Sequence, residues 1–233
     1  MPATVKHFSA CADPHSPHRQ LLADGVVVIE GAATRSLLDK HDFRSRRQST
    51  TFATELLMNP VFMDLVKRVL TYTTIIYYDQ GRTVSVSEPH VSQTSVLYAA
   101  NDIKVQNEPV RVVAGSNHWT DERDSKEEET LVELMKGDAL IWLGSTYYGR
   151  AANTTDQTST LLSDISTPGY RRQEENHYLA VPWNVAEKHP IAVQRFMVYY
   201  VSRPYGGAVE HMEPLDYLKV KGDWAKYIPV DLI

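Results

Sequence analysis

A change of hydrophobic period near residue 71 limits what this chain can fold into more than any other feature of its sequence. Downstream of it come short segments rich in β-branched and aromatic residues: "TYTTIIYYD", "TVSVSE", "QTSVLYAAND", "VRVVAGS", "GDALIWLGSTYYG" and "STLLSDIST". Gly, Asn, Asp or Pro separates them, which is the pattern of a β domain with many turns. Upstream, "DGVVVIEG" at 24–31 reads as one buried strand bounded by glycines. "ATRSLLDKHDFRSRR" follows as an amphipathic helix, with Thr34 as N-cap and Leu37, Leu38 and Phe43 on one face. "NPVFMDLVKRVL" at 59–70 is a second helix, capped by Asn59, with Pro60 in the first turn where its missing N–H costs nothing. Helices first and many short strands after predict a β-barrel or sandwich with helices packed outside.

The chain has 233 residues, which suits one domain with a sizeable core. The expected division is a polar N-terminal arm over 1–20 and a single β domain over 21–233. "EEETLVELM" fits either a short helix or the approach to a strand, and "VPWNVAEKHPIAVQRFMVYY" reads as helical turns broken at Pro190.

Charge and cysteine content exclude several functions. A net charge of -5 argues against a nucleic-acid or anionic-membrane partner, which would call for a basic surface. The short "RSRRQ" and "DERDSKEEE" runs read as solvated segments. Cys11 is the single cysteine, so neither an intrachain disulfide nor a cysteine zinc site can form. The first residues lack the apolar region of a secretory signal, no apolar run reaches the roughly 20 residues of a bilayer span, and "PVDLI" is not a peroxisomal tripeptide. The expected location is the cytoplasm.

Five segments in order, "DGVVVIEG", "VRVVAGSNHW", "GDALIWLGSTYYGRAANTT", "RRQEENHYLAVP" and "AVQRFMVYY", resemble the phytanoyl-CoA dioxygenase-like Fe(II)/2-oxoglutarate oxygenases, particularly those of fungal meroterpenoid pathways. The resemblance implies a double-stranded β-helix, the jelly-roll or cupin-like fold, mainly β with flanking helices. It also implies a facial triad of two His and one carboxylate that leaves three iron positions for 2-oxoglutarate and oxygen. The first two ligands of that triad come as His-x-Asp or His-x-Glu. Of the nine histidines only His211, in the tail, is followed two residues later by a carboxylate, Glu213; the strands between which the pair should lie are connected only by "GRTVSVSEPHVS", whose His90 has Ser92 at that spacing.

The third ligand would fall at Tyr148, where "STYYG" stands in place of the family's Ser-Thr-Tyr-His-Gly. A phenol ligates only as phenolate, and its usual pKa of about 10 makes it a poor substitute. The arginine that clamps 2-oxoglutarate would lie within 157–162, near Ser159, and that segment, "QTSTLL", contains no cation. By this reading the chain has no catalytic, metal or cofactor residues of its own, and Tyr148 and Ser159 mark vacated positions.

Other residues read as scaffold. His118 is offset by one position from the family's Gly-Ser-His and fits a turn; His90 fits an exposed loop; Asn153 and Gly149 keep turn geometry. Arg171 to Asn176 fits a strand end or interface, and Trp119, Trp142 and Trp183 fit core or subunit contacts. In the tail, "VQRFMVYYVSRPYGG" gathers Phe196, Met197, Tyr199, Tyr200 and Tyr205 with two arginines, types enriched at protein contacts. Core packing would use the same residues. The resemblance favours an interface, since these oxygenases are typically dimers.

The expected function is therefore that of a catalytically silent homologue, the accessory subunit of an active oxygenase in a heterodimer, similar to metal-free partner subunits of fungal meroterpenoid pathways of the talaromyolide type. Fe(II) and 2-oxoglutarate would belong to the partner. The alternative is a metal-independent isomerase of a terpenoid, with Tyr148 as general acid and a nearby His or Glu as base.

Overall fold

The computed structural model describes residues 4–39, 50–70, 77–79, 82–84, 91–120, 129–168, 171, 176–197, 199–201 and 206–221. The strands are β1 (His7–Ser9), β2 (Val26–Glu30), β3 (Tyr77–Asp79), β4 (Arg82–Val84), β5 (Thr94–Ala99), β6 (Val110–Val112), β7 (Thr130–Val132), β8 (Ala139–Leu143), β9 (Tyr148–Arg150) and β10 (Leu161–Ser166). Helices α1 (His15–Asp24), α2 (Arg35–Asp39), α3 (Thr50–Phe52) and α4 (Pro60–Leu70) lie among the early strands, and α5 (His177–Ala180), α6 (Trp183–Ala186), α7 (Ile191–Phe196) and α8 (Pro214–Lys221) follow the last.

Two sheets enclose the core. The larger runs β1-β2-β8-β5-β10 and the smaller β7-β6-β9, while β3 and β4 form a separate hairpin. Registers assign the faces: Val26 pairs with Trp142 and Val28 with Leu140, which in turn pair with Ser95 and Leu97. Val26, Val28, Leu97, Leu140 and Trp142 form one buried cluster with Val110, Val112 and Val132 of the smaller sheet. Residues directly opposite in a ladder share a face, so this cluster is the interior between the sheets. Each such side chain contributes about 1.5–3 kcal/mol when fully buried. The opposite face of the larger sheet, with Val27, Ile29, Val96 and Tyr98 buried on it, lies under α1 and α4. The Tyr98 hydroxyl donates to the Leu56 carbonyl at 3.1 Å, which satisfies a polar group inside an apolar layer. Two facing sheets with outer helices are the mainly β jelly-roll architecture that the sequence predicts.

Local signals held well. Asn59 Oδ1 accepts from the Val61 and Phe62 amides at 3.1 and 3.3 Å, capping α4 as expected. Leu37 and Leu38 are buried on α2, while Phe43 lies outside the described residues. "EEETLVELM" contributes strand β7, and "GDALIWLGSTYYG" supplies two strands in different sheets. The polar start is not a separate arm. β1 pairs in parallel with β2, Val5 is 4% exposed in the core, and residues 15–20 begin α1. Alternation over so few residues is too short to read, and the edge of β2 completes it.

The chain divides into two compact units: residues 1–43 with 55–168, and 44–54 with 169–233. The first contains both sheets of the core. The second holds the short helices α5 to α8.

Gly25 ties the turn after α1 to the β8–β9 connection. Its φ is +74°, its amide closes α1 on the Leu21 carbonyl, and its own carbonyl accepts from the Leu143 amide at 2.9 Å and Thr146 Oγ1 at 2.8 Å. A Cβ there would collide with Thr146 Oγ1 and the Asn117 side chain. Gly25→Ala combines left-handed strain with overpacking and is expected to cost about 2–4 kcal/mol. Chemical denaturation of the variant measures it.

Candidate functional site

The segment that carries Tyr148 starts from a turn fixed at both ends. The Thr146 amide donates to the Leu143 carbonyl at 2.9 Å, and the Tyr147 amide to Ser116 Oγ at 2.9 Å. The chain thus leaves β8 in the larger sheet and enters β9 in the smaller. There Val112 pairs with Tyr148 and Val110 with Arg150. Both valines face the interior, so Tyr148 and Arg150 lie on that inner face and Gly149 on the outer one. A Cβ on Gly149 would come within 3.1 Å of the Arg111 guanidinium, which favours glycine at that place.

Tyr148 sits where the two sheets approach. Its ring lies 4.6 Å from that of Trp142, tilted by 47°, while the residue is 54% exposed. Trp142 is 2% exposed, and its Nε1 is buried without a hydrogen-bond partner. An indole offers a metal only a donor N–H and no lone pair. Among the described residues, no three His, Cys, Asp or Glu side chains come together to hold a metal ion. The described groups around Tyr148 therefore do not make up a facial triad. His90 lies outside the described residues, as do residues 172–175 of the Arg171 to Asn176 stretch.

Near Ser159 the structure adds what the sequence missed. Arg150 Nη2 donates to Ser159 Oγ at 2.8 Å, so a guanidinium from β9 reaches the position where the local sequence offers none. Arg150 is already engaged: Nη2 stands 3.2 Å from Glu108 Oε2, and Nε donates to the Glu108 carbonyl at 3.3 Å. Glu108 has φ +66° immediately before Pro109. A non-glycine residue seldom adopts that conformation, and a residue before proline favours extended backbone. Arg150 and Ser159 stand nine positions apart, and no local motif signals their meeting.

The remaining residues fall mostly where expected. His118 ends a short turn (Ser116–His118), with Nε2 3.0 Å from the Ala23 carbonyl. Asn153 builds a turn, accepting from the Thr155 amide at 2.9 Å and donating to the Gln157 carbonyl at 2.7 Å. Trp119 packs on Tyr147 and Trp142 is core. Cys11 is free and exposed.

The tail aromatics divide. Met197 and Tyr199 are each 2% exposed, so within the single chain they are packing residues, a correction to their assignment as interface. Tyr199 meets Tyr178 edge-on at 5.1 Å and Trp183 at 5.5 Å, and its hydroxyl donates to the Val181 carbonyl at 3.0 Å. Burial, then the neighbouring Tyr178, pushes its pKa up to about 12. Phe196 and Tyr200 are half-buried, with the Arg195 guanidinium 5.4 Å over the Tyr200 ring. Tyr205 lies outside the described residues. Beside these helices is a hollow of about 260 Å³ lined by Trp183, Glu187, Ile191, Arg195, Glu213 and Leu215, among others.

Known proteins match this arrangement. The sequence model of the phytanoyl-CoA dioxygenase (PhyH) family matches residues 39–160, more than half of the chain. The uncharacterized protein YJR154W of Saccharomyces cerevisiae is 30% identical over 121 residues, 50% of this chain and 35% of that protein. Dioxygenase peniF of Penicillium patulum is 26% identical over 147 residues, 60% of this chain and 44% of the relative. The chain thus spans less than half the length of these curated relatives. Among solved structures, the α-ketoglutarate-dependent epimerase SnoN from nogalamycin biosynthesis superposes with a TM-score of 0.51 at 16% identity, covering 65% of this chain and 82% of SnoN. HygX from Streptomyces hygroscopicus, with nickel and 2-oxoglutarate bound, gives 0.50 at 14% identity, covering 66% and 87%. At such identities the likeness establishes the jelly-roll fold alone. Within the described residues, no helix is long and apolar enough to cross a membrane.

Proposed function

Because the chain belongs to the phytanoyl-CoA dioxygenase (PhyH) family, we propose that it is an oxygenase homologue without iron chemistry of its own, acting as accessory subunit to an active homologue. The observation that carries this reading is Tyr148, on the inner face of β9 against Trp142, where the resembling enzymes place a histidine. A phenol ligates only as phenolate and is a weak ligand without strong co-ligands, and the adjacent indole supplies none. The Arg150–Glu108 pair adds support, since the guanidinium near the old anchor already holds a carboxylate of this chain.

The partner is an Fe(II)/2-oxoglutarate oxygenase of fungal meroterpenoid biosynthesis, and the iron, the cosubstrate and the oxidation are its own. Duplication can turn an isologous homodimer into a pseudo-symmetric heterodimer in which one copy keeps the metal and the other the interface. This chain would then stabilise its partner and complete the wall or lid of the partner's substrate pocket, through the half-buried tail aromatics. The free, exposed Cys11 fits a reducing, cytoplasmic setting.

Iron uptake tests the reading. Purified chain, loaded anaerobically with Fe(II) and 2-oxoglutarate, is expected to keep no stoichiometric iron by elemental analysis. It should also show no saturable 2-oxoglutarate binding by calorimetry. One tightly held iron per chain, lost on Tyr148→Phe, would overturn it.

A further inference from the structure

The Glu108–Arg150–Ser159 group combines three observations that no single structural need explains. The Arg150 guanidinium lies on the inner face of β9, opposite the fully buried Val110, and donates to Ser159 Oγ at 2.8 Å just before β10 begins. It therefore spans from the smaller sheet to the entry of the larger one. Glu108 meets it twice, through its carboxylate at 3.2 Å and its backbone carbonyl at 3.3 Å. To do so the glutamate holds φ +66° in front of a proline, against the preferences of both its side chain and its neighbour. A simple tie between the two sheets needs only the Arg150–Ser159 hydrogen bond. It does not need a carboxylate held in strained backbone, and local strain of this kind concentrates at functional positions.

We propose that Arg150 and Ser159 form a small-carboxylate site and that Glu108 is its internal occupant, a plug built into the chain. A guanidinium and a hydroxyl together recognise a carboxylate by charge-assisted hydrogen bonds. The Glu108 carboxylate already takes that place on Nη2. An intrachain group competes at a high effective concentration set by its tether, so an external carboxylate binds only when Glu108 is withdrawn. The ligand class is a mono- or dicarboxylate small enough to lie between β9 and the start of β10. The two groups are about one-third exposed, with side-chain values of 32% for Arg150 and 36% for Glu108, so the occupant has a route out to solvent. This inference rests on the reading of this barrel end as emptied of its cosubstrate, and it adds what now fills the place.

The test uses the metal-free full chain and succinate, which carries two carboxylates and no keto group and needs no iron to bind. Glu108→Gly removes the carboxylate and suits φ +66°, so the fold is favoured rather than strained. By calorimetry or NMR titration, Glu108→Gly is expected to bind succinate at least about tenfold more tightly than the parent chain, as release of a charged competitor requires. The gain should vanish in Glu108→Gly with Arg150→Gln. Equal succinate affinity of parent and Glu108→Gly overturns the proposal, as does a gain that survives Arg150→Gln. If circular dichroism shows Glu108→Gly unfolded, Glu108→Gln is judged by the same two criteria. Failure here leaves the accessory-subunit reading standing, whereas iron uptake by the parent chain would overturn that reading and remove the premise of this one.

Discussion

Tyr199→Ala destabilises the C-terminal unit by about 3–5 kcal/mol, the range for removing a buried aromatic side chain. Its ring is the shared neighbour of Tyr178 and Trp183, at 5.1 and 5.5 Å, so truncation removes both contacts and leaves a cavity between them. The lost hydroxyl also strips the Val181 carbonyl of its donor. Denaturant unfolding followed by tryptophan fluorescence reads this directly. Tyr199→Phe separates the terms, because it keeps the ring and removes one hydrogen bond worth about 0.5–1.5 kcal/mol. Unchanged stability together with lost partner binding would instead return Tyr199 to the interface. The sign of the pH dependence follows from burial. With the folded pKa raised to about 12 and an unfolded value near 10, the neutral phenol favours the folded chain. That contribution is complete below pH 10 and is lost as pH rises from about 10 to about 12. Tyr98, also pushed up by burial, acts in the same direction, so Tyr199→Phe makes the alkaline loss shallower without abolishing it.

What the sequence revealed depended on the range of each signal. Asn59 and Pro60 mark the start of α4 because capping is decided within three or four residues. The buried strands β2, β5 and β8 were legible as apolar runs, since both faces of the larger sheet are covered. β1 was not, because three residues whose middle one is half-buried carry no period, and only the edge of β2 makes them a strand. Tyr148 stood out in the sequence by its place within "STYYG", and ladder pairing with Val112 sets its direction. Arg150 was invisible as a partner of Ser159 because their meeting depends on β9 and β10 belonging to different sheets. Composition singled out the tail aromatics but could not divide them. Met197 and Tyr199 against Phe196 and Tyr200 is a distinction of helix face, and α7 is only six residues long.

That division sharpens where a partner would bind. Phe196 and Tyr200 are half-buried on and just beyond α7, whose first residue, Ile191, is 57% exposed. An interface needs aromatic anchors that the single chain leaves partly open, and it draws little from residues already closed inside. Phe196→Ala with Tyr200→Ala is therefore expected to weaken assembly with the proposed oxygenase partner, at about 2–4 kcal/mol for each anchor that is a hot spot. The corresponding loss of affinity is about thirtyfold to a thousandfold per anchor. Tyr200→Ala also removes the ring beneath the Arg195 guanidinium, a contact worth about 0.5–1 kcal/mol at an exposed place, so stability should fall slightly. Co-purification and thermal unfolding of the same double variant separate the two effects. The partner's turnover should fall in step with assembly. A double variant that melts like the parent and still co-purifies with a fully active partner would place the contact on another face.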